Sequence, residues 1–335
     1  MRIPASLIAA AFSLMTSAAH AADPTDAANA DADAAANAQK APAKVLAGYL
    51  PSYRIDSVDA ARLAGLTDLI YFGIEPPEDG TLPEDPIPAA ALEKLRAIKK
   101  AVGCRVLVTA GGWGRSAHFP AIAADPAARS RFVEALASLC ESGGFDGIDF
   151  DWEHPEGEAE MRSYAELLLA ARDRFGPRGL LVTVAQAPWQ DLGKAAYAGI
   201  DRVHLMSYDH GFPQATLEKS KADLGRVIGW GCPPEKIALG IPFYGRNAKG
   251  EAAAYKDLAA SEGFDPTADE IRGYAFNSRL TAAAKVDLAF DRQLAGVMVW
   301  ELGQDSGNFS ILGAIQKRLA GRGPEILGKK PRHFR

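Results

Sequence analysis

Phe145-Asp146-Gly147-Ile148-Asp149-Phe150-Asp151-Trp152-Glu153-His154-Pro155 alternates acidic and bulky apolar side chains. Successive side chains of a strand point to opposite faces, so Asp149, Asp151 and Glu153 share one face while Ile148, Phe150 and Trp152 share the other. At about 3.3 Å per residue the three acids span ~13 Å. If the apolar set packs against helices, the acids face inward, where desolvation and mutual repulsion oppose their ionisation. Two other readings compete with this one. In the first, the acids form a solvated edge. In the second they hold a metal, although none of the six histidines has ligand spacing.

Short, nearly continuous apolar runs recur on either side of this stretch, at 45–49, 69–74, 105–110, 147–152, 180–185, 202–208, 237–243 and 295–300. Each ends in Gly, Pro or a polar cluster, as strands buried on both faces do. Helical segments lie between them, such as 88–102 and 125–142, the latter opening with Asp125 as N-cap and Pro126 at the first helical position. Eight such units in about 257 residues predict an α/β fold, a (β/α)8 TIM barrel forming a single catalytic domain over 44–320. A doubly wound open sheet is the alternative, but no GxGxxG follows the first strand. The long stretch 246–294 is expected to hold a loop or short elements and the last helix. In such a barrel Glu153 sits at the carboxyl end of the fourth strand, where barrel enzymes place their chemistry.

The chain has 335 residues, with 37 Lys and Arg against 42 Asp and Glu. This mildly acidic balance argues against nucleic acid as a partner, because phosphate binding needs clustered cations. Arg2, the apolar residues 7–15 and Ala19-His20-Ala21 read as a signal peptide over 1–21. The protein is therefore expected to be secreted or periplasmic, without a membrane anchor after cleavage, since the apolar run is short for a span. Residues 22–43 form an Ala/Asp/Asn-rich linker with little to bury. Residues 321–335, with Lys329-Lys330-Pro331-Arg332, form a basic tail. Cys104, Cys140 and Cys232 contain no CxxC pair. A Cys104–Cys140 bridge and three buried thiols both remain open.

Asp146-Gly147-x-Asp149-x-Asp151-x-Glu153 resembles the signature of the family-18 glycoside hydrolases, the chitinase family, and matches it at every fixed position. Thr109-Ala110-Gly111-Gly112-Trp113 resembles the family's third-strand Ser-x-Gly-Gly, with a threonine for the serine. Met206-Ser207-Tyr208-Asp209 resembles its sixth-strand motif. Gly240 to Arg246 and Gly296 to Glu301 resemble its seventh and eighth strands.

The resemblance implies hydrolysis of β-1,4 bonds in chitin or related N-acetylglucosamine oligosaccharides, with retention, no cofactor and no metal. Its substrate-assisted scheme departs from the usual two-carboxylate one. Glu153 is then the proton donor, Asp151 holds the substrate acetamido N–H, Asp149 tunes Asp151 by sharing a proton, and Tyr208 contacts the acetamido group. Trp300 floors the sugar site. Tyr49, Phe72, Gly112, Trp113, Met206, Asp209, Tyr244 and Arg246 are further candidate substrate contacts, since sugar rings stack on flat apolar faces. Trp189 is left unassigned, and His118, His154 and His210 match no catalytic motif. A non-catalytic sugar-binding protein of the same fold is the competing class, and the acid at Glu153 argues against it. Peptidoglycan and N-glycan are the alternative substrates. The protein is expected to be a monomer.

Overall fold

In a computed structural model, residues 44–321 are described. The expected signal peptide, linker and basic tail lie outside them, apart from Gly321. Eight parallel strands close a barrel: β1 (Val45–Pro51), β2 (Asp68–Ile74), β3 (Arg105–Gly111), β4 (Gly147–Asp151), β5 (Leu181–Gln186), β6 (Arg202–Leu205), β7 (Ile237–Pro242) and, after four short strands of a separate sheet, β12 (Gly296–Trp300). The order around the barrel is β1-β12-β7-β6-β5-β4-β3-β2. This is the expected closed barrel and not the open sheet.

Alternation along the strands makes two cores. Ile148 and Phe150 of β4, Val203 and Leu205 of β6, and Val297 and Val299 of β12 pack outward under the helices. Ala47 and Tyr49 of β1, Leu107 of β3 and Met298 of β12 fill the interior. The acids of β4 fall on the inner face because Ile148 and Phe150 take the outer one.

The flanking helices are α1 (Ala89–Val102), α2 (Phe119–Ala124), α3 (Pro126–Gly143), α4 (Gly157–Phe175), α5 (Gly193–Gly199), α6 (Leu217–Gly229), α7 (Tyr255–Ala259), α8 (Arg279–Asp291) and α9 (Ile311–Gly321). In α3 the Asp125 carboxylate accepts the Ala127 N–H, Pro126 opens the first turn, and Gly144 ends it at φ 76°. Between β1 and β2 the described chain makes only two 3-10 turns, Ser52–Arg54 and Ala60–Leu63.

The long stretch after β7 holds a small antiparallel sheet of β8 (Tyr244–Asn247), β9 (Ala252–Ala254), β10 (Glu270–Ile271) and β11 (Tyr274–Ala275), followed by α8. Strand β6 stops at Leu205, three residues short of the stretch read from sequence. There the chain turns tightly, with Ser207 N–H donating to Leu205 O and Tyr208 N–H to Met206 O, both at 2.8 Å. Gly240 on β7 leaves room for the turn, since a Cβ there would lie 2.4 Å from Leu205 O.

The amino-terminal end of the barrel is closed by charge. Arg105 Nε lies 2.6 Å and Arg202 Nη1 3.0 Å from the fully buried Asp68. Burial alone would raise the Asp68 carboxyl, but Arg202, Thr67 and Arg105 together hold it below the usual range. Cys104, Cys140 and Cys232 are three separate buried thiols. Burial pushes Cys140 and Cys232 up to about 12. Among the described residues no helix is long and apolar enough to cross a membrane.

Candidate active site

The three acids of the fourth strand rise toward the carboxyl end of the barrel in progressively more open surroundings. Asp149 is fully buried. Its Oδ2 accepts the Tyr49 hydroxyl at 2.7 Å and its Oδ1 accepts Thr183 Oγ1 at 2.6 Å. His204 Nδ1 lies 2.9 Å from Oδ1 and 3.1 Å from Tyr49 Oη. Both oxygens of Asp149 are therefore engaged at its own level of the barrel, and its charge is one of the causes that raise Asp151. The sequence had not singled out His204. Its signal was the same alternation that exposed the acids, because Val203 and Leu205 face outward and leave His204 inside.

Asp151, one pleat higher, is 3% exposed, and its Oδ1 is buried with no hydrogen-bond partner among the described residues. An ionised carboxylate without donors is costly there. Burial first, then the charges of Glu153 and Asp149, drives its pKa well above the ordinary value. Glu153 follows the end of β4. Its N–H donates to Ser116 Oγ at 3.0 Å, and that oxygen lies 3.1 Å from both the Gly112 and Asp151 carbonyls. Ser116 thus locks the loop after β3 to the end of β4. Nothing in the sequence pattern had marked it. Burial, then the charge of Asp209, raises Glu153 from 4.5 to about 7. Neighbouring acids titrate as a set, and ionising Asp151 and Glu153 together is disfavoured. Glu153 is thereby poised both to give and to take a proton at that pH.

These groups open into a cleft of about 760 Å³. Of the residues nominated from sequence, Tyr49, Phe72, Trp113, Asp151, Glu153, Met206, Tyr208, Asp209, Tyr244, Arg246 and Trp300 all line it. Asp149 lies beneath. Gly112 does not line the cleft. At φ +108° it makes room, since a Cβ there would come 2.1 Å from the Phe72 ring and 3.4 Å from Asp151 Oδ2.

Trp300 forms the floor, with Tyr49 at 5.5 Å and the edge of Phe72 at 5.1 Å between ring centroids. Tyr208 meets Tyr244 edge-on at 6.3 Å. Arg246 pairs with Asp209, and its Nη1 also donates to Gly250 O at 2.7 Å. The small antiparallel sheet therefore supplies one wall. Trp113 is 77% exposed and Trp189 57%. Trp189, unassigned from sequence, lines the cleft and packs edge-on against His154 at 5.3 Å. His154 Nε2 in turn lies 3.5 Å from Glu153 Oε2. Among the described residues no three His, Cys, Asp or Glu side chains form a cage for a metal.

The family described as "Glycosyl hydrolases family 18" matches residues 45–305. The chain is 27% identical over 284 residues to "Probable chitinase 2" of Drosophila melanogaster, covering 64% of this chain and 59% of that one. It therefore spans less than two thirds of that relative's length. In fold it is similar to a chitinase from Bacteroides thetaiotaomicron, with TM-score 0.75, 22% identity, and 87% and 99% of the two chains covered. It is also similar to the chitinase-like agglutinin RobpsCRA from Robinia pseudoacacia, with TM-score 0.71, 22% identity, and 82% and 99% covered.

Proposed function

The chain belongs to the glycosyl hydrolases of family 18, and on that footing we propose that it is an exported retaining glycosidase cleaving β-1,4 bonds in chitin-type N-acetylglucosamine oligosaccharides by substrate assistance. The observation that carries the proposal is the pairing of Glu153, lifted to about 7 at the mouth of the cleft, with the buried Asp151 below it, whose Oδ1 has no hydrogen-bond partner among the described residues. Protonated Glu153 gives its proton to the glycosidic oxygen as the C1–O bond breaks. The substrate's own acetamido oxygen attacks C1 and closes an oxazolinium ring. The bound acetamido N–H supplies the donor that Asp151 lacks, so the proton the two acids share sits on Glu153 and Asp151, as the carboxylate, balances the positive charge. Asp149, held by Tyr49, Thr183 and His204, lies one pleat beneath it. Glu153, now a carboxylate, takes a proton from the water that reopens the ring, so configuration at C1 is retained.

Tyr208 offers a hydroxyl to the acetamido group, and Trp300 offers its face to the sugar. The relatives' names support a chitin-type substrate. The N-terminal pattern read from sequence supports export.

The fold alone does not separate enzyme from lectin, since an agglutinin shares it. Glu153 does, because a sugar-binding protein needs no proton donor at that point. A reducing-end assay with chitotetraose, cell-wall glycan and a high-mannose glycopeptide tests the proposal. Release from chitotetraose is expected to exceed that from the other two. Binding without release would establish the lectin reading.

A further inference from the structure

The tetrapeptide Ser207–His210 presents Tyr208 and Asp209 to the cleft, yet it is held from outside the barrel. It follows the early end of β6, so no ladder fixes it. Asp209 stands at φ 60°, a conformation a non-glycine residue keeps only where its surroundings impose it. On the cleft side Asp209 pairs with Arg246, and its N–H donates to Gln214 Oε1 at a long 3.4 Å. Further ties lie behind.

Asp223 of α6 is 3% exposed. Its Oδ2 accepts the Ser207 hydroxyl at 2.8 Å and lies 2.6 Å from His210 Nε2. Ser220, one helical turn earlier, places its Oγ 2.9 Å from that of Ser207. One carboxylate therefore grips the residues immediately before and after Tyr208–Asp209. Arg226 Nη1 also lies 3.4 Å from Oδ1, and the fully buried Nζ of Lys285 on α8 donates to Gly240 O at 3.3 Å. A buried carboxylate with this many partners is a rigid anchor, and removing any one leaves others unpaired.

We propose that Asp223 is a positioning residue which, acting only through Ser207 and His210, fixes Tyr208 and Asp209 relative to Glu153. The inference rests on Glu153 being the proton donor. The groups facing Glu153 are Asp151 at the end of β4, His154 beside it, Tyr208, and Asp209 with its partner Arg246 from the far wall. Of these, Asp209 is the one whose backbone the anchor sets, so losing the anchor displaces it even while Arg246 still pairs with it. Its retreat removes a repulsion that keeps the proton on Glu153, so the anchor is legible in the pH profile as well as in the rate.

The test compares the wild-type chain with Asp223→Asn, His210→Phe and His210→Gln, reading kcat, KM and the alkaline limb of kcat/KM on chitotetraose. Misplacement by about 1 Å costs up to ~100-fold in rate. Asp223→Asn and His210→Phe are expected to lose about 10- to 100-fold in kcat, with the alkaline limb moved to lower pH. His210→Gln, which keeps a donor to Asp223, is expected to retain most of both. The double variant Asp223→Asn/His210→Phe is expected to be no worse than Asp223→Asn alone, since both cut one path. If Asp223→Asn does not fold, the two His210 variants decide, because His210 lies in the loop after β6 and its side chain is only partly buried. An unmoved alkaline limb in His210→Phe overturns the proposal, whatever happens to kcat. If the wild-type chain does not turn over chitotetraose, the proton-donor role of Glu153 falls, and this inference falls with it.

Discussion

Asp209→Asn isolates the one charge that lifts the proton donor from across the cleft. Glu153 rises from 4.5 to about 7, and the causes are burial first and Asp209 second. Burial is the larger cause and Asp209 the smaller. Asparagine keeps the shape and most hydrogen bonds while removing the charge. The alkaline limb of kcat/KM reports the donor's pKa in the free enzyme. It is expected near pH 7 for the wild type and at lower pH for Asp209→Asn. Activity at pH 5 should then be affected far less than activity at pH 7.5. Arg246→Met gives the opposite sign, because it strips Asp209 of its partner and leaves the repulsion of Glu153 unmasked. That limb should move up, by well under a unit, since both partners are partly exposed. The assay is a pH–rate series with a soluble chito-oligosaccharide at substrate concentrations below KM. A limb that stays in place in Asp209→Asn, or moves up, would refute the electrostatic account of Glu153.

Other consequences follow from the same geometry. Glu153→Gln removes the transferable proton and should cut turnover by at least about 10²- to 10⁴-fold while oligosaccharide binding, read by calorimetry, persists. Gly112→Ala drives a methyl into the Phe72 ring at a backbone φ of +108°, so chitotetraose turnover should fall and the melting temperature drop. Asp68→Asn leaves Arg202 and Arg105 without their shared counter-charge at the closed end of the barrel and should cost about 3–5 kcal/mol in denaturant unfolding, with little change in KM. Because the native Asp68 carboxyl is depressed, its stabilisation is present above the ordinary carboxyl range and lost as pH falls through the native value. Wild type and Asp68→Asn should therefore converge in stability toward strongly acid pH.

The barrel was legible because strands covered on both faces leave short, nearly continuous apolar runs, and β4 adds to its run an alternation that puts acids on the inner face. The same rule, applied to Val203 and Leu205, also points to His204, whose significance depends on Asp149 and Tyr49 from two other strands. Sequence order does not bring those three together. The early end of β6 was hidden for a related reason. Met206 and Tyr208 continue the apolar pattern, and only the space left by Gly240 on the neighbouring strand shows that the chain turns there. Gly112 carried the right motif but sits behind Phe72 rather than against the cleft. Trp189 carried no motif, and its place beside His154 comes from the loop after β5. Asp223 looked like an ordinary polar position on a helix, because its partners Ser207 and His210 belong to a segment whose path no local pattern dictates.

The central claim is that this cleft breaks a glycosidic bond with the substrate's own acetamido group as nucleophile and Glu153 as proton donor. Proton NMR of chitotetraose hydrolysis, run on the fully acetylated tetramer and on one with a free amine in the sugar before the cleaved bond, tests it most directly. The account predicts that the new reducing ends of the acetylated tetramer appear first as the β-anomer, and that the deacetylated tetramer is not cut at that bond. An initial α-anomer, or cleavage of both substrates at similar rates, would contradict it.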